Sequence, residues 1–204
     1  MFIERPPLLY RSLYRGAYWR INKHEKVVYL TFDDGPIPEI TPWVLDLLDK
    51  YQIKACFFCV GDNVRKYPEI FQMVKDRGHS VGNHTYHHIQ GLKVTTSAFL
   101  WNIEEADKLI QSKLLRPPYG HMRLPQFYFL RKKYKIVMWD VVTRDYSRLK
   151  TADQVFEIVK KYTRPGSIIV FHDSIKAGER MKESLPRSIE WLLENGYTFR
   201  LLEE

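Results

Sequence analysis

Short apolar runs alternate with longer amphipathic stretches from one end of the chain to the other. Runs rich in β-branched and aromatic residues recur at 27–32, 54–60, 80–84, 114–118, 135–141, 167–173 and 198–202. Helical spacing fills the gaps. Thr41-Pro42 reads as an N-cap and first helical residue, followed by Val44, Leu47, Leu48 and Tyr51 on one stripe. A second helix is predicted over 67–77 and closed by Gly78, and a third, the longest, over 97–113. Thr151 and Gln154 fit a capping box ahead of Val155, Ile158 and Val159, and a last helix over 185–195 ends at Gly196. Strand-helix alternation without repeats or linkers predicts an α/β fold with a parallel sheet wrapped by helices. About seven such steps fit an incomplete (β/α) barrel, with a doubly wound open sheet as the alternative.

With 204 residues, 45% hydrophobic and 14% aromatic, the chain is long enough for one sizeable core. We divide it into an N-terminal extension, 1–25, packed on a single domain, 26–204. The extension has neither the apolar run nor the cleavage site of a secretory signal, and no segment approaches the ~20 apolar residues of a membrane span. A cytoplasmic location is therefore the default expectation. The net charge of +8 is scattered, with dense groups only at Arg131-Lys132-Lys133 and among the N-terminal arginines. It reads as a solvated face, and no nucleic-acid partner is expected. Cys56 and Cys59 stand three apart on a predicted strand, so they face opposite sides and read as small buried hydrophobes.

The polar residues gather at strand ends. Asp33-Asp34 end the first strand, His84 the third with His87 and His88 just beyond, and Arg116 the fourth ahead of Tyr119. Asp140 and Asp145 end and follow the fifth, and His172-Asp173 end the sixth. Both candidate architectures place ligands at the carboxyl ends of their strands, so five strands deliver ionisable groups to one rim. Two imidazoles and a carboxylate that leave positions open for water suit a catalytic zinc or ferrous ion. Such a cation would also explain two adjacent carboxylates. Spacing leaves open whether His87 or His88 is the second imidazole.

The segments TFDDGP, HTYHH, RPPYG, DVVTRDY and IIVFH, in this order, resemble the five motifs of the polysaccharide deacetylases, the nodulation-protein-B homology domain of carbohydrate esterase family 4. The likeness runs from about Lys26 to Thr198. It implies a distorted, incomplete (β/α) barrel and a metal-dependent deacetylase acting on acetylated glycans. The metal it implies is most often Zn2+, with Co2+, Ni2+ or Mn2+ as alternatives. By position, the resemblance makes Asp34, His84 and His88 the metal ligands, because His87 is interior to the family's His-Thr/Ser-x-x-His pattern. It makes Asp33 the general base paired with Arg116, Tyr119 the backbone donor to the oxyanion, and Asp145 the partner of His172, the general acid. Trp139, Tyr119 and Tyr146 are the candidate substrate contacts.

These roles also make chemical sense. Water attacks an amide carbonyl only when activated, an oxyanion needs fixed donors, and an amine leaves only when protonated. One departure stands out: Tyr146 follows Asp145 where the family usually has Trp, which is expected to shift glycan preference rather than abolish chemistry. His24, His79 and His121 read as structural or loop residues, with His121 nearest the rim. The rival readings are a ferrous oxygenase built on Asp34, His84 and His88, hydrolysis of a small non-peptide amide, and a silent glycan-binding module. The ferrous reading leaves Arg116, Asp145 and His172 without a task.

Overall fold

All seven side chains of the first strand, β1 (Val27–Asp33), are buried. A strand covered on both faces loses the in-out alternation and reads as one apolar run, as in parallel sheets layered by helices. The computed structural model describes residues 4–203, so the first three positions of the extension and the last of the domain lie outside the described residues. Helix α1 (Leu8–Leu13) precedes β1; α2 (Thr41–Lys50), β2 (Cys56–Cys59), α3 (Gly61–Lys66), α4 (Pro68–Asp76) and β3 (Ser80–Asn83) follow it. Next come α5 (Thr96–Ile110), β4 (Leu114–Leu115), α6 (Leu124–Leu130), β5 (Lys135–Ile136) and β6 (Val141–Val142). The chain closes with α7 (Ala152–Tyr162), β7 (Ser167–His172), α8 (Ile175–Glu194) and β8 (Thr198–Phe199).

Every named strand pair is parallel, in the order β5-β4-β3-β2-β1-β7-β6, with β8 added to β1 at Val27 and Val28. The predicted strand 135–141 is split. Its first part pairs with β4 and its last with β7, so both edges of the curled sheet meet one stretch of chain. This is a distorted, incomplete (β/α) barrel rather than a doubly wound open sheet. Tyr18 bridges Val137 and Arg20 bridges Ser167, so the segment before β1 fills part of the gap between those edges.

The two faces of β1 explain where its end points. Val28, Leu30 and Phe32 pack outward with Leu45, Leu48, Leu185 and Ile189 of the helices. Val27 and Tyr29 pack inward with Phe58, Leu114 and Ile168, and Thr31 and Asp33 continue this inner row. Each large apolar side chain so buried contributes about 1.5–3 kcal/mol. Cys56 and Cys59 are both buried, one in the inner cluster and one in the outer.

Local signals held where the partners are local. The Thr151 hydroxyl accepts from Gln154 N at 3.2 Å, and Gln154 Oε1 accepts from Thr151 N at 3.3 Å, completing the capping box. Thr41 is different. It is the first helical residue, with Ile40 as N-cap, because its hydroxyl bridges Ile37 N and the buried Asp173. The last helix begins at Ile175 rather than 185, since it carries Pro186 internally while Ala177, Met181, Leu185 and Ile189 keep one buried stripe. Helices α1, α3 and α6 are too short to show periodicity.

Candidate active site

The inner position of Asp33 carries a carboxylate into the barrel, and Arg116, itself fully buried, meets it there. Arg116 Nη1 donates to Asp33 Oδ1 at 2.5 Å and to Thr31 Oγ1 at 2.9 Å. Its other nitrogens donate to the carbonyls of Val137 (3.2 Å) and Met138 (3.0 Å), and its guanidinium lies 4.0 Å from the centre of the Phe58 ring. A buried cation is tolerated because its donors find acceptors.

Asp34 leaves the strand with φ +86°, so it does not continue the pleat into the outer layer. Its Oδ1 lies 3.2 Å from His88 Nε2 and 3.7 Å from His84 Nε2, and donor atoms of Asp34, His84 and His88 all fall within 4.8 Å of one another. His84 Nδ1 lies 2.7 Å from the carbonyl of Arg116. A carbonyl only accepts, so Nδ1 carries the proton and Nε2 keeps its lone pair toward Asp34. Burial lowers the His84 pKa to about 4, which keeps the ring neutral. Burial would raise the Asp34 pKa, but the His88 hydrogen bond and nearby imidazoles hold it well below the usual carboxylate range. A neutral imidazole presenting its lone pair, a second imidazole and an ionised carboxylate fit a divalent cation. His87 is turned away: it is exposed, and its Nδ1 meets Asn102 Nδ2 at 3.0 Å.

Across the cleft, Asp145 accepts twice from His172, from the backbone N at 2.8 Å and from Nδ1 at 2.7 Å. Burial would lower the His172 pKa, yet Asp145, reinforced by Asp34 and Asp33, raises it to about 9. Tyr146 packs edge-on to His172 with ring centres 4.8 Å apart. Tyr119 is half exposed, has a left-handed backbone (φ +61°), and sets its ring 4.9 Å from that of His88. Gly120 follows at φ +69°, where a Cβ would lie 2.3 Å from the Trp139 ring. The cleft measures about 450 Å³ and includes Asp33, Asp34, His84, His88, Trp139 and His172 in its lining. Asp34, Thr85, His88, Tyr119 and Arg144 all hold φ between +52° and +86°, a concentration of non-glycine strain typical of functional sites.

Asp140 does not join the rim. It is buried beside Ser167 at the start of β7, where Arg11, Arg164 and the Ser167 hydroxyl donate to it. Burial works against its ionised form, but those donors hold its pKa at about 2. His121 also lies off the cleft, with Nδ1 3.0 Å from the Tyr10 hydroxyl. His79 is a buried acceptor for Ala55 N at 3.1 Å.

The residues that sequence reasoning left without a role are those that hold the turn after Asp33. Asp173 Oδ1 accepts from Gly35 N at 3.0 Å and Oδ2 from the Thr41 hydroxyl at 2.7 Å. Asn63 donates to Asp34 O at 2.8 Å and Val60 N to Gly35 O at 2.9 Å. The signal for Asp173 was present, a second polar residue directly after His172. A Cβ on Gly35 would lie 2.0 Å from Asp173 Oδ2. Gly35→Ala is therefore expected to destabilise the fold by about 1–3 kcal/mol and to weaken the affinity of the Asp34, His84 and His88 cluster for a divalent cation, read by thermal denaturation and by calorimetric titration with zinc. Unchanged affinity would mean that the turn does not aim Asp34.

Known proteins resemble the chain in sequence and in fold. Residues 20–137 match the family model described as polysaccharide deacetylase. A peptidoglycan-N-acetylglucosamine deacetylase of Bacillus cereus is 36% identical over 172 residues, 81% of this chain; the matched part spans 60% of that relative's length. The crystal structure of the Bc1960 peptidoglycan N-acetylglucosamine deacetylase, in complex with an N-hydroxybenzamide, superposes with TM-score 0.88 at 31% identity, covering 97% of this chain and 95% of that one. A Bacillus anthracis protein, BA3943, described as a pseudoenzyme of carbohydrate esterase family 4, superposes with TM-score 0.80 at 25% identity, covering 89% and 65%. The chain belongs to the polysaccharide deacetylase family, a family of hydrolases.

Proposed function

We propose that the chain removes acetyl groups from N-acetylated sugars of a cell-wall polysaccharide, releasing acetate and a free amine. The observation that carries this reading is the placement of two hydrogen-bonded pairs, Asp33–Arg116 and Asp145–His172, about one cleft with Asp34, His84 and His88. A divalent cation held by those three residues, Zn2+ first and Co2+, Ni2+ or Mn2+ next, supplies Lewis acidity, lowering the pKa of water and polarising the acetyl carbonyl. Asp33, kept in place by Arg116, takes the proton from the attacking water. The backbone N–H of Tyr119 donates to the oxyanion that develops on the acetyl oxygen. His172, protonated and aimed by Asp145, gives its proton to the departing nitrogen. Trp139, Tyr119 and Tyr146 form the wall against which the sugar packs.

The relatives' names point to peptidoglycan N-acetylglucosamine as the first substrate to try. Acetate release from N-acetylated peptidoglycan and chitin oligomers, with and without a chelator, tests the reading. Release that the chelator abolishes supports it; no release with any of the four metals would place the chain with silent members such as BA3943. The metal ligands have their own check. His88→Ala is expected to lower zinc occupancy, measured by elemental analysis, while His87→Ala leaves it intact. The reverse outcome would exchange the two histidines.

A further inference from the structure

Two stretches of the chain contain no acidic residue at all: 5–24, with five Arg and Lys, and 108–139, with eight. Read along the sequence, the basic groups within them are far apart. The fold brings them together. Helix α1 lies along the chain that enters and forms α6, with the Tyr10 hydroxyl donating to Gly120 O and the Tyr14 hydroxyl to Met122 O at 2.6 Å. Tyr14 and Phe127 rings meet edge-on at 5.3 Å. At the far end Arg131 Nη1 donates to Arg15 O at 3.1 Å, and its guanidinium lies 5.6 Å from the Phe127 ring centre and 6.0 Å from that of Tyr128. Arg15 and Arg131 thus meet where α1 joins α6, with Arg123, which donates to Leu92 O at 3.3 Å, just before α6 and Lys132 just after it; all four are exposed and none has a carboxylate partner among the described residues. Arg11 and Arg5 are not among them, since they turn inward to Asp140, and Lys133 is offset by Asp107.

Apolar side chains of α1 and α6 are exposed as well. Leu8 is 83% and Leu9 81% exposed, and Leu13, Leu124, Tyr128 and Phe129 are each between 42% and 55% exposed. No residue of α1 is buried. Of the fourteen large apolar side chains exposed among the described residues, nine belong to the two acid-free stretches. A soluble polyanion would be recognised by the cations alone and has no use for exposed leucines. A second copy of this chain would set like charges against each other. Apolar side chains interleaved with unpaired cations match a bilayer that is negatively charged at its surface and apolar beneath.

We propose that the face formed by α1 and α6 docks on an anionic phospholipid membrane, with Leu8, Leu9, Leu13 and Phe129 entering the headgroup region and Arg15, Arg123, Arg131 and Lys132 contacting phosphates. The contact is peripheral: among the described residues no helix is long and apolar enough to cross a membrane. It stands independently of the proposed chemistry, although Tyr119, at the cleft, is the direct neighbour of Gly120, to which Tyr10 of α1 is bonded.

The test is sedimentation of the full chain with phosphatidylcholine vesicles, with and without phosphatidylglycerol. Binding is expected only where phosphatidylglycerol is present, and it weakens as salt is added. Arg131→Gln and Lys132→Gln should each cost about fivefold in partition. Leu9→Ser and Phe129→Ser should each cost about tenfold at unchanged charge. Leu9, Phe129 and Lys132 are exposed, and circular dichroism will verify that all four variants keep the fold. Absence of binding overturns the proposal. So does binding that Leu9→Ser and Phe129→Ser leave unchanged while soluble polyphosphate competes fully, which would mark a polyanion site. A lipid-free dimer lost in Phe129→Ser would assign the face to self-association and would overturn it too.

Discussion

Asp33→Asn is expected to lower turnover roughly 10²–10⁴-fold while zinc stays bound. Asparagine keeps the size of the side chain and an acceptor for Arg116 Nη1 but has no basicity, so it cannot take the proton from the attacking water. The proposed metal set is untouched, since among the described residues Asp34, His84 and His88 are the three whose donor atoms cluster. Single-turnover kinetics together with zinc titration separate the two effects. Near-wild-type turnover would remove Asp33 from the role of base, and lost zinc would place it among the ligands. Arg116 gives the matching control. It is buried, and the Asp33 pairing is one of four hydrogen bonds that its guanidinium makes. Arg116→Met leaves a carboxylate inside the barrel without its cation, at a cost of about 3–5 kcal/mol in stability. Chemical denaturation will read that cost directly.

Asp145→Asn is expected to move the alkaline limb of the pH–rate profile to lower pH. In the proposed role His172 gives a proton only while protonated, and the Asp145 carboxylate, 2.7 Å from Nδ1, is the main influence that raises its pKa to about 9 against the pull of burial. Without the Asp145 charge the pKa falls toward or below the unperturbed ~6.5, and the acid is lost earlier as pH rises. Stability follows the same sign. A raised folded-state pKa stabilises the protein fully below the unfolded value near 6.5, and that contribution disappears as pH rises through about 9. Asp145→Asn should therefore flatten the loss of stability over that interval. An unmoved limb would leave His172 as the acid but deprive Asp145 of its supporting part. His172→Ala supplies the chemical control: it should cost most on amides, whose nitrogen must be protonated to leave, and much less on an activated acetyl ester. Equal losses on both would make His172 structural.

What the sequence alone determined is the part of the physics that acts over a few residues. Apolar runs and helical stripes follow from local periodicity, so the β-α order, the parallel sheet and the rim of strand ends were legible, as was the capping box at Thr151 and Gln154. The opposite burial of Cys56 and Cys59 follows from the same two-residue period. The tertiary structure decided everything that depends on contacts across long separations or on a single backbone angle. Asp33 and Asp34 part because φ of Asp34 is +86°, and neither spacing nor composition encodes that angle. His88 rather than His87 reaches Asp34, while Asn102 of α5 holds His87 away. Asp140 falls to Arg11 and Arg164, and Thr41 to Asp173 at a separation of 132 residues, partners that no local pattern announces. The same holds for the basic face. Arg15 and Arg131 meet only because Tyr10 and Tyr14 seat α1 against residues 120–127, and a contact between distant segments is settled by which surfaces fit, after the elements have formed.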